Sequence, residues 1–200
     1  MESTSLSLDT AELRKKLLHV RHEKAYCDVT IQAHSTTFHA HKCILAAGST
    51  FFSLLLNRSQ DLGEPLRSVC LFNVQPQDVK CLDSVLDFLY CGCLNINAAN
   101  FLSILRLAVY LVIVDLLRLL KEYLTKLLNV ENCLQLYLDL RCLSFKSADS
   151  RSPEISVLHE MKQEAWEMME TKFYSHVILR ENTLQVKMFP FMSFYFQYHV

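Results

Sequence analysis

Between Cys27 and Leu56 the apolar residues change their spacing, and this change restricts the possible folds more than any other feature of the chain. Val29, Ile31 and Ala33 alternate with Thr30 and Gln32, the period-two signature of a strand. His34-Ser35-Thr36 is a short turn, and Thr37-Phe38-His39-Ala40 returns as the second strand of a hairpin. The period then switches. HKCILAAG and STFFSLLL read as two short helices, divided by Gly48 as a stop and Ser49 as an N-cap. With only three glycines and four prolines in 200 residues, the chain has few sharp turns, and a helix-rich architecture follows.

Residues 1–9 are polar and Ser-rich and are expected to be disordered. Asp9 or Thr10 can cap a helix through AELRKKLLHVRHEK, on which Leu13, Leu17 and Val20 form one apolar stripe with Arg14, Lys15 and Lys16 turned away. Such a stripe needs a partner, within the fold or in another subunit. Further on, NRSQDLGEPLR reads as a polar loop leading to a third strand, SVCLF. Pro76 opens a helix with Val79, Leu82, Leu86 and Leu89 on one face and Gly92 past its end. CLNIN is expected to add an edge strand. Apolar helices follow over about 98–110 and 112–128, then helical segments in VENCLQLYLDLRCL and PEISVLHEMKQEAWEMMETKFY. The last residues, MFPFMSFYFQYHV, show no clear amphipathic period.

Several features invite chemistry. His39, His41 and Cys43 stand at every second position. As a metal site they fail on spacing, because Cys43 falls in the first turn of the next helix and no fourth ligand is close. They read instead as a polar strand end and a histidine satisfied at a helix N-terminus, with Cys43 packed as a small apolar residue. Eight cysteines contain no CxxC pair, and MESTSLSLDT has no basic region followed by an apolar run, so no signal peptide is expected. The thiols are expected to be reduced, free and mostly buried. Cys91-Gly92-Cys93 could chelate a soft metal or sense redox, but it sits where a helix ends, and plain packing is the expectation. No GxSxG, Gly-rich phosphate loop or HExxH occurs, so the chain is expected to be no enzyme and to need no cofactor or metal.

The formal net charge of -1 argues against a nucleic-acid binder, which needs a basic surface. In FLSILRLAVYLVIVDLLRLLKEYL the longest uncharged piece, Leu107 to Val114, is far short of the roughly 20 residues that span a bilayer, so no membrane partner is expected. Asp28 opens a strand among apolar neighbours. Spacing leaves two readings open: a partly buried carboxylate paired with Lys42, or an exposed strand-end aspartate.

Three runs together, CDVTIQ, FHAHKCILAAGSTFF and VLDFLYCGCLNI, closely resemble the BTB (POZ) domain. The matching residues are Cys27-Asp28-Val29, then Phe38, Ala40, His41, Lys42, Leu45, Ala46, Ala47, Ser49, Phe51 and Phe52, then Phe88, Tyr90, Gly92 and Leu94. The resemblance covers about residues 10–128 and implies an α/β (α+β) fold, a small sheet flanked by helices. It also implies a dimeric interaction module with Leu13, Leu17 and Val20 at the dimer interface. Asp28, His41 and Lys42 would form a charged pocket near that interface, which favours the buried-pair reading of Asp28.

Residues 119–137, with Asn132-Cys133-Leu134, resemble the start of the BACK region of kelch-like proteins, so 129–175 is expected to be a partial all-α BACK region. BTB-zinc-finger repressors lack this stretch. By resemblance the kelch-like branch supplies substrate adaptors for a cullin-3 ubiquitin ligase, and Phe52, Leu62 and Glu64 would bind the cullin, the last two through a hydrophobic-x-Glu motif shifted about two residues. No kelch repeats are present, and 176–200 is a divergent aromatic tail. The implied partners are therefore cullin-3 and itself or other BTB proteins, with a cytoplasmic location and the nucleus as the alternative. Two other roles stay open: a dimerisation module that modulates full-length kelch-like relatives, and a co-repressor docking module.

Overall fold

The hairpin forms where the alternating pattern places it. In the structure, a computed structural model that describes residues 10–63, 66–129, 131–143 and 153–173, β1 (Val29–Ala33) and β2 (Thr36–Ala40) pair antiparallel with Val29 opposite Ala40 and Ile31 opposite Phe38. Val29, Ile31 and Ala33 are buried and Gln32 is exposed. At the hairpin turn His34 adopts a φ of +53°, a conformation uncommon outside glycine. Its Nε2 donates to the Val74 carbonyl at 2.8 Å, tying the turn to the body. A third strand, β3 (Ser68–Cys70), lies parallel to β1, giving the order β2-β1-β3. It is shorter than SVCLF, although the Leu71 amide still donates to Gln32 at 2.8 Å.

Six helices complete the first two thirds of the chain: α1 (Thr10–His22), α2 (Lys42–Gly48), α3 (Thr50–Asp61), α4 (Val79–Cys91), α5 (Phe101–Leu111) and α6 (Val114–Leu127). Two of these helices, and one expected strand, differ from expectation. α3 absorbs Asn57 to Asp61, because no glycine or proline interrupts those residues before Gly63 at φ +69°. α4 begins at Val79, after a turn over Pro76 to Asp78. CLNIN forms no strand. It is irregular, with Leu94 and Ile96 half-buried, and it has no ladder partner among the described residues.

The core is built by α4 and α5 against the sheet. On α5, Phe101, Ile104, Leu105, Leu107, Ala108, Val109 and Leu111 are all buried, as a helix apolar on most sides must be. Each large side chain so buried contributes about 1.5–3 kcal/mol. Gly48 lets α2 approach α4 closely: a Cβ there would lie 2.7 Å from Leu89 Cδ2, so that side chain would have to shift. Among the described residues no helix is long and apolar enough to cross a membrane.

Two later helices, α7 (Cys133–Arg141) and α8 (Pro153–Met168), form a second layer, with a π-helical turn over Met169–Phe173. α8 packs on both α6 and α7, burying Leu158, Met161 and Ala165. The Tyr137 and Trp166 rings meet at 5.2 Å. The same asparagine device opens α5 and α7. Asn97 and Asn100 exchange amide-to-side-chain bonds at 2.8 and 3.0 Å, and Asn129 and Asn132 do so at 2.8 and 2.9 Å. Each pair satisfies donors that a helix start leaves free. The tail over 176–200 and the residues before Thr10 lie outside the described residues.

The thiols correct one expectation. Only Cys133 is buried; Cys27, Cys81 and Cys91 are half-buried, and Cys43, Cys70, Cys93 and Cys142 are exposed. Cys70 sits on the outward face of β3 and Cys43 on the open side of the first turn of α2, so local geometry overrides the apolar preference of the side chain.

Candidate functional site

α1 is attached to the body by a charge rather than by its apolar stripe. Its one buried residue is Arg21. Nη2 donates to Asp83 Oδ1 at 2.6 Å, Nη1 donates to Asp87 Oδ1, and Nε donates to the His39 carbonyl at 3.2 Å. The guanidinium also lies 5.8 Å from the Tyr90 ring centroid, within range of a cation–π contact. With the helix held this way, Leu13 is exposed and Leu17 and Val20 are only half-buried. The stripe is open in the single chain.

The histidine motif resolves into a junction of three elements. Tyr90 on α4 accepts from the His41 amide at 2.8 Å, and its hydroxyl lies 2.9 Å from His41 Nδ1. His41 Nε2 is 2.9 Å from the Ala25 carbonyl. That carbonyl can only accept, so Nε2 donates to it, while Nδ1 faces the phenol. Burial pushes the Tyr90 hydroxyl up to about 12, partly opposed by the bond from the His41 amide and the nearby Arg21 charge. Both nitrogens of His41 are thus engaged. Among the described residues no group of three or more His, Cys, Asp or Glu side chains could hold a metal ion.

Asp28 departs from the buried-pair reading. It is exposed, and its Oδ1 accepts from the Lys42 backbone amide at 2.8 Å rather than from the Lys42 ammonium. The reason is local: Asp28 stands one residue before buried Val29, so it points outward, and the first turn of α2 offers a free amide there. The expected pocket of Asp28, His41 and Lys42 is therefore a helix-capping contact beside a hydrogen-bonded histidine. Cys43 does not pack inward as expected.

A second open surface lies where two helix elbows meet. Ser49 is buried, its Oγ donating to the Leu111 carbonyl at 2.5 Å and accepting from the Phe52 amide at 3.2 Å. The Thr50 amide donates to Val112 at 3.2 Å. Val112 is held at φ +52°, strained for a β-branched residue. A shallow recess of about 240 Å³ opens beside this seam, lined by Ala47, Ser53, Leu54, Val112, Val114 and Asp115. Leu54 is exposed, and Leu62, eight residues on at the end of α3, is exposed as well. On the flank, Phe51 packs against Tyr110 at 5.4 Å. Burial raises the Tyr110 hydroxyl, opposed by its bond to the Asn73 backbone, and the neighbouring Phe72 is exposed.

Phe52 corrects the expected cullin contacts: it is fully buried and cannot touch a partner. The helical period shows why, since Phe52 and Leu56 share the core side of α3 while Leu54 faces out. Glu64 lies outside the described residues. Leu54 and Phe72 were missed by the sequence reading. Helical phase could have found Leu54; nothing local marks Phe72.

A family model described as BTB/POZ domain matches residues 17–128. Kelch repeat and BTB domain-containing protein 2 of Homo sapiens is 31% identical over 155 residues, covering 76% of this chain and 22% of its own length. Zinc finger and BTB domain-containing protein 44 of Xenopus tropicalis is 32% identical over 101 residues, covering 50% of this chain and 21% of its own length. The chain thus spans about a fifth of the length of these relatives. Among solved structures, the BTB domain of zebrafish PATZ1 aligns with a TM-score of 0.52 at 20% identity, covering 62% of this chain and 99% of that one, a likeness of fold.

Proposed function

From the premise that this chain belongs to the BTB/POZ domain family, whose fold is a protein–protein interaction module, we propose that it is a dimeric docking adaptor that presents its α3 surface to cullin-3. The observation that carries the proposal is exposed Leu54 on the rim of the recess at the Ser49–Val112 seam, with a second exposed leucine, Leu62, at the end of the same helix. Apolar side chains left open along a helix suit an incoming helix or loop. The open stripe of Leu13, Leu17 and Val20 suits a second copy of α1. Likeness to a kelch-repeat protein that runs beyond residue 128 supports the kelch-like branch over the zinc-finger branch, whose match covers half the chain.

The test is a pull-down of the full chain with cullin-3. Binding by the wild type that falls about tenfold or more in a Leu54→Asp/Leu62→Asp variant, a loss in the range typical of central interface residues, supports the proposal. No binding by the wild type refutes it. A second reading, a dimerisation module that pairs with longer BTB relatives, draws on the open α1 stripe alone. It predicts association with such a relative that survives Leu54→Asp/Leu62→Asp and is lost in Leu13→Asp/Leu17→Asp.

A further inference from the structure

The docking surfaces leave Cys91-Gly92-Cys93 without a part to play, and its geometry is specific. Cys91 is the last residue of α4, and Gly92 caps the helix at φ +70° and ψ +11°, in the left-handed region. This turn folds the chain back, so that the Cys93 amide donates to Cys91 Sγ at 3.4 Å and the Cys91 thiol lies 3.3 Å from the Cys93 carbonyl. The second sulfur hangs from a residue whose backbone already touches the first. Cys93 is exposed and Cys91 half-buried. Both are more accessible than Cys133, which is buried and whose thiol burial pushes up. Arg14 Nη1 on α1 lies 3.2 Å from where a Cβ on Gly92 would stand, so α1 reaches the same elbow.

We propose that Cys91 and Cys93 form a dithiol site that closes to an intramolecular disulfide when it meets a small disulfide oxidant of the oxidised-glutathione class. The exposed Cys93 thiolate attacks one sulfur of the oxidant, forming a mixed disulfide and releasing one thiolate. The Cys91 thiolate then attacks Cys93 Sγ and expels the second. Two protein thiols are oxidised, one oxidant disulfide is reduced to two thiols, and the two protons pass to the released thiolates. The elbow joins α4 to the irregular segment that follows, and Arg14 reaches it from α1.

The experiment equilibrates the full chain with oxidised glutathione, blocks remaining thiols with an alkylating agent, and maps each cysteine by tandem mass spectrometry. The expected product links Cys91 to Cys93 and is lighter by two hydrogens. In Cys91→Ser, glutathione should remain trapped on Cys93 at a level about tenfold or more above the wild type, because the intramolecular displacement that clears it is gone. Thermal melts of Cys93→Ser and Cys91→Ser check that both variants fold. The proposal is overturned if both thiols are alkylated in wild type under conditions that modify exposed Cys43 and Cys70. Persistent glutathione on wild-type Cys91 or Cys93 overturns it equally.

Discussion

Two arginine–carboxylate contacts, both made with α4, are mirror images of each other. At Arg21 the cation is buried, with its side chain 3% exposed, while Asp83 and Asp87 are 57% and 24% exposed. At the start of α4 the anion is buried: the Asp78 side chain is 2% exposed, and Arg106 from α5, 26% exposed, grips it with Nε and Nη2 at 2.8 and 2.6 Å. The Asp78 hydrogen bond raises the Arg106 pKa. The first contact fastens α1 to the body; the second lies inside the α4–α5 core. In each, the more exposed member can be released to water, whereas the buried one cannot. Fragility should therefore follow the partner of the buried charge.

The largest effect is expected from Arg106→Met. It strands Asp78 in the core, and removing one partner of a buried pair costs about 3–5 kcal/mol. Asp78→Asn should cost clearly less, because the neutral amide needs no counter-charge and Arg106 can turn outward. Urea midpoints of the two variants decide it, and equal losses would break the asymmetry.

Asp87→Ala comes next. Arg21 keeps Asp83 and the His39 carbonyl, so the expected loss is about 1–3 kcal/mol, the cost of a buried charged donor losing one acceptor. Arg21→Met should cost less than Asp83→Ala and Asp87→Ala combined. It leaves two carboxylates that water reaches, and its thioether fills the stem's place. If Arg21→Met is the worse of the two, the cation is not the stranded partner and the mirror image fails.

How much of this was legible in the sequence depends on distance along the chain. The hairpin, the Ser49 cap and the amphipathic face of α4 rest on neighbours within a turn or two, and the alternation and capping signals display them. Arg21 was invisible: between Val20 and His22 it looks like another surface cation, and its acceptors lie 62 and 66 residues on. Phe52 was misplaced for a different reason. Membership in a motif says that a residue matters, while only the phase of its helix says which way it faces. Asp28 failed through competition, since two readings shared one residue and the nearest free amide, unmarked in sequence, took the carboxylate. CLNIN alternates like a strand, yet a strand needs a ladder partner, which no local pattern can promise.

Tyr90 sharpens the contrast from the Arg21 side. Its folded pKa is raised to about 12, so the fold prefers the neutral phenol. That contribution to stability is fully present below pH 10 or so, the ordinary tyrosine value, and is lost as pH rises through about 12. Phenolate absorbance should show Tyr90 titrating near that value, with Tyr110 also above the ordinary one because burial raises it. Since Arg21 lowers the Tyr90 value, Arg21→Met should move that titration higher still, while Arg106→Met should leave it in place. A shift with Arg106→Met but not with Arg21→Met would mean the two sites are not independent.

The smallest effect is expected where charge pairs without burial. Lys121 on α6 bonds Glu160 on α8 and lies 3.7 Å from Glu164. The mutual hydrogen bond raises the Lys121 pKa and lowers that of Glu160. By sign, the Glu160 contribution is present above the ordinary carboxylate range and is lost as pH falls through its lowered folded value. Lys121 and Glu160 are 31% and 48% exposed, so water reaches each when the other leaves, and Lys121→Met should move the urea midpoint far less than Arg106→Met. What effect remains should fade with salt, because screening shortens from about 10 Å at 0.1 M to about 3 Å at 1 M. The penalty of Arg106→Met should persist at high salt, since Asp78 stays out of reach of the ions. A salt-insensitive Lys121→Met penalty as large as that of Arg106→Met would show that burial does not decide the value of an ion pair here.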